Sequence, residues 1–251
     1  MFPRPAPLAF LAHTRPDPRE DLAMDEALLR SQAARGGPGM LRIWERPDLC
    51  VVLGRANRVA LNVNRPACEA ADVPILRRNS GGGTVLLGPG ALCWSLVLPV
   101  GPPDGLSNDV GGATSAIMQR LAAALRPLVP GVGVDGTSDL TIPGPDCARI
   151  KVSGNAQRWL KRAMLHHGTL LYDFDLAAIP RFLTRPERQP DYRAGRDHAA
   201  FVTNLRITRS GAVAALREAF GATAPPPEPP WATTDALLEE RYADEAWHLS
   251  R

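Results

Sequence analysis

The sequence predicts an α/β (α+β) protein with a mixed sheet flanked by helices, and three features carry that expectation. A capped apolar-faced helix opens the chain, short β-like runs then alternate with turn residues, and a second long helix is followed by further β-like runs. No internal repeat of solenoid type is present.

In "TRPDPREDLAMDEALLRSQAARGGPG", Asp17 stands as an N-cap with Pro18 in the first turn and Glu20 three residues after the cap. Gly36-Gly37 lies beyond the end, and Met24, Ala27 and Leu28 fall on one face. β-like runs follow at Leu41 to Trp44, Leu49 to Leu53 and Val73 to Leu76, with a helix near Pro66 to Asp72. "TVLL" and "ALCWSLVLPV" are separated by Gly88-Pro89-Gly90, which predicts a hairpin. In "SNDVGGATSAIMQRLAAALRPLV", Ile117, Leu121, Ala124 and Leu125 recur at helical spacing and Pro127 ends the helix. "SDLTI", "ARIKVSG" and "GTLLYDFD" read as strands. After a basic, turn-rich stretch from Arg181 to Arg209 comes a short helix near Ala212 to Phe220. Ala224 to Pro230, "APPPEPP", reads as an extended connector to a last helix, "TTDALLEERYADEAW". One domain over 1–251 with a docked C-terminal helix is the economical expectation.

A chain of 251 residues can bury roughly three-quarters of its unfolded surface, so a sizeable core is expected. The formal charge of +3, from 29 basic and 26 acidic residues, is too small to indicate a nucleic-acid partner. Cys50, Cys68, Cys93 and Cys147 have no C-x-x-C spacing, which argues against a disulfide framework and for a reducing compartment. The N-terminal apolar run is short and broken by proline, unlike a signal peptide or a membrane span, so a soluble, cytoplasmic protein is expected.

The chemistry centres on "RRNSGGGTVLL", Arg77 to Leu87. Glycines let backbone N–H groups approach an anion closely and tolerate positive φ, although an isolated three-glycine run is commonly just a turn. Arg77 and Arg78 are adjacent on a strand and point to opposite faces, so one of them, taken as Arg78, is expected to reach a ligand. No P-loop, dinucleotide fingerprint or G-x-S-x-G elbow is present. The second candidate is Lys151, between Ile150 and Val152 and followed by Ser153-Gly154-Asn155; a lone lysine is otherwise usually a solvated charge. His166 and His167 face opposite ways in a strand, and no spaced ligand set accompanies them to make a metal site.

Taken in order, "DLAMDEALL", "WERPDLCVVLGRANRVALNVN", "RRNSGGGTVLL", "SDLTI", "KVSGNAQR" and "HHGTLL" resemble the motifs of the lipoate-protein ligase A family, within the biotin and lipoate protein ligase superfamily. The resemblance runs over residues 16–205 and implies a mixed sheet flanked by helices of the class II aminoacyl-tRNA synthetase/biotin-lipoate ligase type. It also implies an ATP-dependent ligase in which MgATP activates lipoate or octanoate as an acyl adenylate. A lysine of a lipoyl-type acceptor domain then attacks that adenylate. By this resemblance Lys151 is catalytic, bridging acyl carbonyl and phosphate oxygens, and Arg78 binds phosphate. Ser80, Gly81, Gly82, Gly83, Thr84, Val85 and Leu86 wrap the adenylate. Asp139 sits near the phosphate or its magnesium, and His167, Gly168 and Thr169 belong to the substrate site. Val85, Leu96 and Val152 are walls for an aliphatic chain or simply core.

The chain also departs from the family pattern. Leu87 and Gly88 stand where the family has histidine and aspartate, Ser138 stands for asparagine, and "PGPDCA" is insertion-like. An octanoyltransferase of this superfamily forms an acyl-enzyme on cysteine, but Met164 occupies that position in one transferase type, leaving Cys147 as the nearby thiol. An octanoyltransferase with an acyl-carrier donor and a non-catalytic lipoyl-binding homologue are the alternatives. The chain ends before the C-terminal accessory domain of typical bacterial ligases, which admits an accessory subunit on a separate polypeptide. Neither a nucleic-acid nor a membrane partner is expected.

Overall fold

In the computed structural model, which describes residues 7–102, 105–145, 148–186 and 189–250, the apolar run ahead of the first helix is itself a strand, β1 (Leu8–Ala12). Helix α1 (Pro18–Arg35) begins where its cap dictates, with the Asp17 side chain accepting from Arg19 N at 2.8 Å, and ends at Gly36 with φ 70°. Glu20 turns away from the cap to pair with Arg15. Residues 21–29 of α1 are all buried, so its acidic positions need partners inside the protein.

The remaining strands are β2 (Met40–Trp44), β3 (Cys50–Leu53), β4 (Ile75–Arg77), β5 (Val85–Leu87), β6 (Ala91–Pro99), β7 (Gly133–Asp135), β8 (Asp139–Pro143), β9 (Arg149–Ser153), β10 (Asn155–Trp159), β11 (Ala163–Leu171) and β12 (Ala222–Ala224). The principal sheet has the order β10-β11-β6-β2-β1-β12, antiparallel through β10, β11, β6 and β2, then parallel through β1 and β12. Smaller sheets, β4-β3-β5 and β7-β8-β9, complete the mixed α/β architecture.

Strand β6 explains the sandwiching. Leu92, Trp94, Leu96 and Leu98 enter the core beneath α2 (Val110–Leu125) and α3 (Arg209–Phe220), while Cys93 and Val97 face the α1 side. With both faces covered, the strand reads as a continuous apolar run rather than an alternating one. On α2, Ile117, Leu121 and Leu125 are fully buried, each contributing about 1.5–3 kcal/mol relative to exposure, and Ala124 lies at the margin. Among the described residues no helix is long and apolar enough to cross a membrane.

Three local expectations are corrected. The turn at Gly88-Pro89-Gly90 is real, with Gly90 at φ 86°, but β5 pairs with β3 and β6 with β2 and β11, so the two runs are not a hairpin. Local turn chemistry reverses the chain without choosing a sheet. Ala224 is the last residue of β12 rather than part of the connector, leaving 225–230 as the extended segment. The last helix is three pieces: α4 (Trp231–Leu237), a π-helical turn (Leu238–Tyr242) and α5 (Glu245–His248) capped by Asp244. They dock through the Tyr242 hydroxyl to Glu26 at 2.7 Å and through His248 Nδ1, which accepts from Arg77 N at 2.9 Å.

Candidate active site

The adjacent arginines at the end of β4 separate as strand alternation predicts, and both hold backbone carbonyls. Arg77, fully buried, donates to Gly54 O, Arg55 O, Asn57 O and Trp247 O, tying the β3 exit to the C-terminal segment. Arg78 turns inward, donating to Val52 O, Gly81 O, Gly83 O and, from Nε, to Ser80 Oγ at 3.0 Å. Burial pulls its pKa down to about 10, which still leaves a cation at neutral pH. Its first task is therefore to shape the glycine loop, while its charge faces the cavity that the loop borders.

Two glycines are required by close approach. Gly82 has φ 84°, and a Cβ there would sit 3.0 Å from Arg78 Nη2 and 3.2 Å from Ala156 Cβ. A Cβ at Gly54 would strike Gly82 O at 2.2 Å, so the Gly-Arg loop after β3 and the glycine loop touch backbone to backbone.

Lys151 comes from β9, across the cavity. Its ammonium contacts Asp139 Oδ1 at 2.8 Å, and Asp139 Oδ2 accepts from Tyr192 OH at 2.8 Å. Burial and the adjacent Asp139 carboxylate push the Tyr192 phenol well up, so it stays a donor. A Cβ on Gly154 would lie 2.9 Å from Lys151 Nζ, so the lysine head packs directly against this glycine.

The histidine pair on β11 divides between core and site. His166 has no exposed surface, stacks on Trp94 with centroids 5.2 Å apart, and accepts from Gln157 Nε2 at 2.7 Å. Trp159 Nε1–H donates to Gln157 Oε1 and thereby sets that amide's orientation. Burial, aided by His167, lowers the pKa of His166 to about 3, so it is neutral. His167 faces the cavity, with Nε2 2.6 Å from Ser80 Oγ and Nδ1 3.3 Å from Asp25 Oδ2.

Asp25 anchors a buried ion network. Its Oδ1 accepts from Arg42 Nη1 at 2.7 Å and its Oδ2 from Ser95 Oγ at 2.7 Å, while Arg42 also pairs with Asp21, held in turn by Arg46 at 2.9 Å. Burial pushes the Asp25 carboxyl up, but Arg42 and the His167 and Ser95 hydrogen bonds outweigh it, so the group lies below the usual range. Ser80, His167 and Asp25 form a chain like a hydrolase triad. Ser80, however, has no exposed surface and already accepts from Arg78, so it is not a presented nucleophile.

These elements enclose a cavity of about 190 Å³. Arg78, Asp139, Lys151, Asn155 and His167 make its polar end, and Leu22, Trp44, Val85, Leu87 and Cys93 its apolar arm. Gly83, Thr84, Gly168 and Thr169 also line it. Ser80, Gly81 and Gly82 stand behind or beside the lining. Leu86 packs away with Val51 and Phe174, because alternation gives the cavity to Val85 and Leu87. Leu96 and Val152 lie in the main core. Asp25, Ser95, Trp44 and Tyr192 are site residues that sequence reasoning missed; the one local signal was a pair of acids, Asp25-Glu26, inside an apolar helix.

Among the described residues no three His, Cys, Asp or Glu side chains gather to hold a metal ion. Asp139 and Asp25 are the carboxylates among the described lining residues. Cys50, Cys68 and Cys93 are buried, and burial drives the Cys93 thiol, which lines the cavity, well above its ordinary pKa. Cys147 lies outside the described residues.

Residues 17–222 match the family model described as the lipoyl protein ligase A/B catalytic domain. Among solved structures, an archaeal bipartite lipoate protein ligase studied with its E2 lipoyl domain, from Thermoplasma acidophilum, is similar at TM-score 0.82. It is 22% identical, with 97% of this chain and 96% of that chain covered. A putative lipoate protein ligase from the same organism, with bound lipoic acid, gives TM-score 0.78 at 21% identity, covering 98% and 100%. A lipoate-protein ligase A bound with ATP gives TM-score 0.78 at 22% identity, covering 97% and 99%. These likenesses concern the fold; it is the match over 17–222 that shows the chain to belong to the lipoyl protein ligase A/B catalytic domain family.

Proposed function

We propose that this protein is an ATP-dependent lipoate or octanoate ligase that joins the acyl group, through an acyl-AMP intermediate, to a lysine of a lipoyl-type acceptor domain. One observation carries the reading: one cavity is lined by the basic side chains Lys151 and Arg78 and by a cluster of apolar ones, Leu22, Trp44, Val85, Leu87 and Cys93. A medium-chain carboxylic acid has that polarity. The related structures with bound lipoic acid and with bound ATP support it.

The residues have distinct tasks. Leu22, Trp44, Val85 and Leu87 exclude water from the aliphatic chain and aim its carboxylate at the polar end. Lys151, resting on Asp139, exchanges that partner for the oxygens of the carboxylate and α-phosphate, and stabilises the charge that develops as each bond forms. Arg78 holds the glycine loop in shape, so that its backbone donors face the phosphates. A magnesium ion brought in with the nucleotide would be met by Asp139 and would neutralise phosphate charge. The mixed anhydride so formed has AMP as its leaving group. The related bipartite ligase, studied with its lipoyl domain, supports a lipoyl-domain acceptor and a separate accessory subunit.

The test is incubation with lipoate or octanoate, MgATP and lipoyl-type acceptor domains, read by intact mass. The expected result is an ATP-dependent mass gain on one acceptor lysine. Transfer from an octanoyl thioester without ATP would replace the ligase by an acyltransferase, and ligand binding without turnover would replace it by a binding protein.

A further inference from the structure

The mechanism above leaves the Asp25 network and His167 without a task. Asp25 is buried on α1 with both oxygens engaged, Oδ1 by Arg42 Nη1 at 2.7 Å and Oδ2 by Ser95 Oγ at 2.7 Å, and it lies 3.3 Å from His167 Nδ1. These contacts fix a tautomer. Ser80 Oγ accepts Arg78 Nε–H, so its own hydroxyl proton points to His167 Nε2 at 2.6 Å. The ring proton then resides on Nδ1, directed at the Asp25 carboxylate, and the basic lone pair is at Nε2.

Transfer needs a base. An acceptor lysine with an ordinary pKa near 10.4 is only about one part in 2,500 neutral amine at pH 7. The other titratable groups of the cavity are engaged: Lys151 pairs with Asp139, Asp139 is held by Lys151 and Tyr192, and Asp25 is enclosed. His167 is the one imidazole among the described lining residues, and its side chain keeps 12% exposure where Ser80 has none.

We propose that His167 Nε2 is the general base that deprotonates the acceptor's ε-ammonium, and that Asp25 is the positioning residue that holds the ring in the accepting tautomer and stabilises the imidazolium. The proposal rests on the ligase reading. The ammonium displaces the Ser80 hydroxyl from Nε2, Ser80 keeping Arg78 Nε as a donor, and gives Nε2 one proton. The freed nitrogen lone pair forms the bond to the acyl carbon. The bond from that carbon to the phosphate oxygen breaks with its electron pair leaving on AMP, and the second nitrogen proton passes to the departing phosphate. Products are the amide, protonated AMP and the imidazolium, which returns its proton to water.

The experiment supplies pre-formed lipoyl-AMP, so that transfer is read without the ATP step, and compares the lysine acceptor with hydroxylamine, an amine already neutral at pH 7. His167→Gln retains hydrogen-bonding capacity without basicity. Transfer to lysine is expected to fall about 100-fold at pH 7, in the range of general-base contributions. Enzyme-dependent transfer to hydroxylamine, corrected for the uncatalysed rate, should fall less than about fivefold, and the variant's lysine rate should climb about tenfold per pH unit toward the lysine pKa. Asp25→Asn should show the same pattern with a smaller loss. Unimpaired transfer to lysine in His167→Gln, or equal losses with both amines, overturns the proposal. Should His167→Gln not fold, the wild-type profile decides: a rate that levels off below about pH 8 supports the base, and a rate still rising toward pH 10.4 overturns it. Wild type that transfers from supplied lipoyl-AMP but makes none from MgATP strikes the ligase reading alone.

Discussion

Two sets of paired charges border the same cavity, and they are built for opposite purposes. In the Asp21–Arg42–Asp25–Arg46 set every side chain is at most 4% exposed and each carboxylate is bonded from two or more sides. In the Lys151–Asp139 pair the side chains are 27% and 13% exposed, and the contact is a single one at 2.8 Å. Buried charges cannot exchange partners without a large desolvation penalty, so the first set acts as a fixed mount for His167. The second can release Asp139 and take up an anionic ligand at little cost. The site therefore combines an immobile side with an exchangeable one.

Four perturbations break or sharpen this contrast, in descending order of effect. Arg42→Met leaves Asp21 and Asp25 as poorly compensated buried carboxylates, and denaturant titration should show a loss of about 3–5 kcal/mol. Lys151→Ala should do the reverse, lowering ligation about 10²–10³-fold while stability changes by less than about 1 kcal/mol. Equal effects of these two on folding would erase the distinction. Leu87→His places a polar ring in the apolar arm; the expected cost is about 1–3 kcal/mol, with a raised KM for the acyl acid, measured by melting and steady-state rates.

At neutral pH the smallest effect concerns His166, whose folded pKa of about 3 lies below the ordinary 6.5. The unfolded chain then binds the proton first. Stability from this group is complete above about pH 6.5 and declines by about 1.4 kcal/mol per pH unit on acidification toward pH 3. His166→Asn should remove that part of the slope in a pH series of melts, whereas His167→Gln should leave it in place.

What was legible in the sequence was what a strand or a turn decides locally. Period-two alternation separated Arg77 from Arg78 and His166 from His167, and the Lys151-to-Gly154 run placed the lysine head against a glycine. Non-local choices were not legible. The Gly88-Pro89-Gly90 turn announced a reversal but not that β5 and β6 would join different sheets. Asp25 showed only as one of two acids in an apolar helix, and its role was hidden because its partners Arg42, Ser95 and His167 lie 17, 70 and 142 residues away. Leu87 stood out as a departure from the family pattern, and its neighbours Leu22, Trp44 and Cys93 make it part of an apolar arm.

In the proposed reaction Lys151, at the junction of acid and nucleotide, drives formation of an acyl adenylate. The most direct measurement is acyl-AMP formed from lipoate or octanoate and MgATP with no acceptor present, followed by mass spectrometry alongside pyrophosphate release. Folded wild-type protein should give acyl-AMP and pyrophosphate in equal amounts, and Lys151→Ala should give neither above background. Folded wild-type protein that makes no acyl-AMP from either acid, or Lys151→Ala protein that makes it at the wild-type rate, would contradict the account.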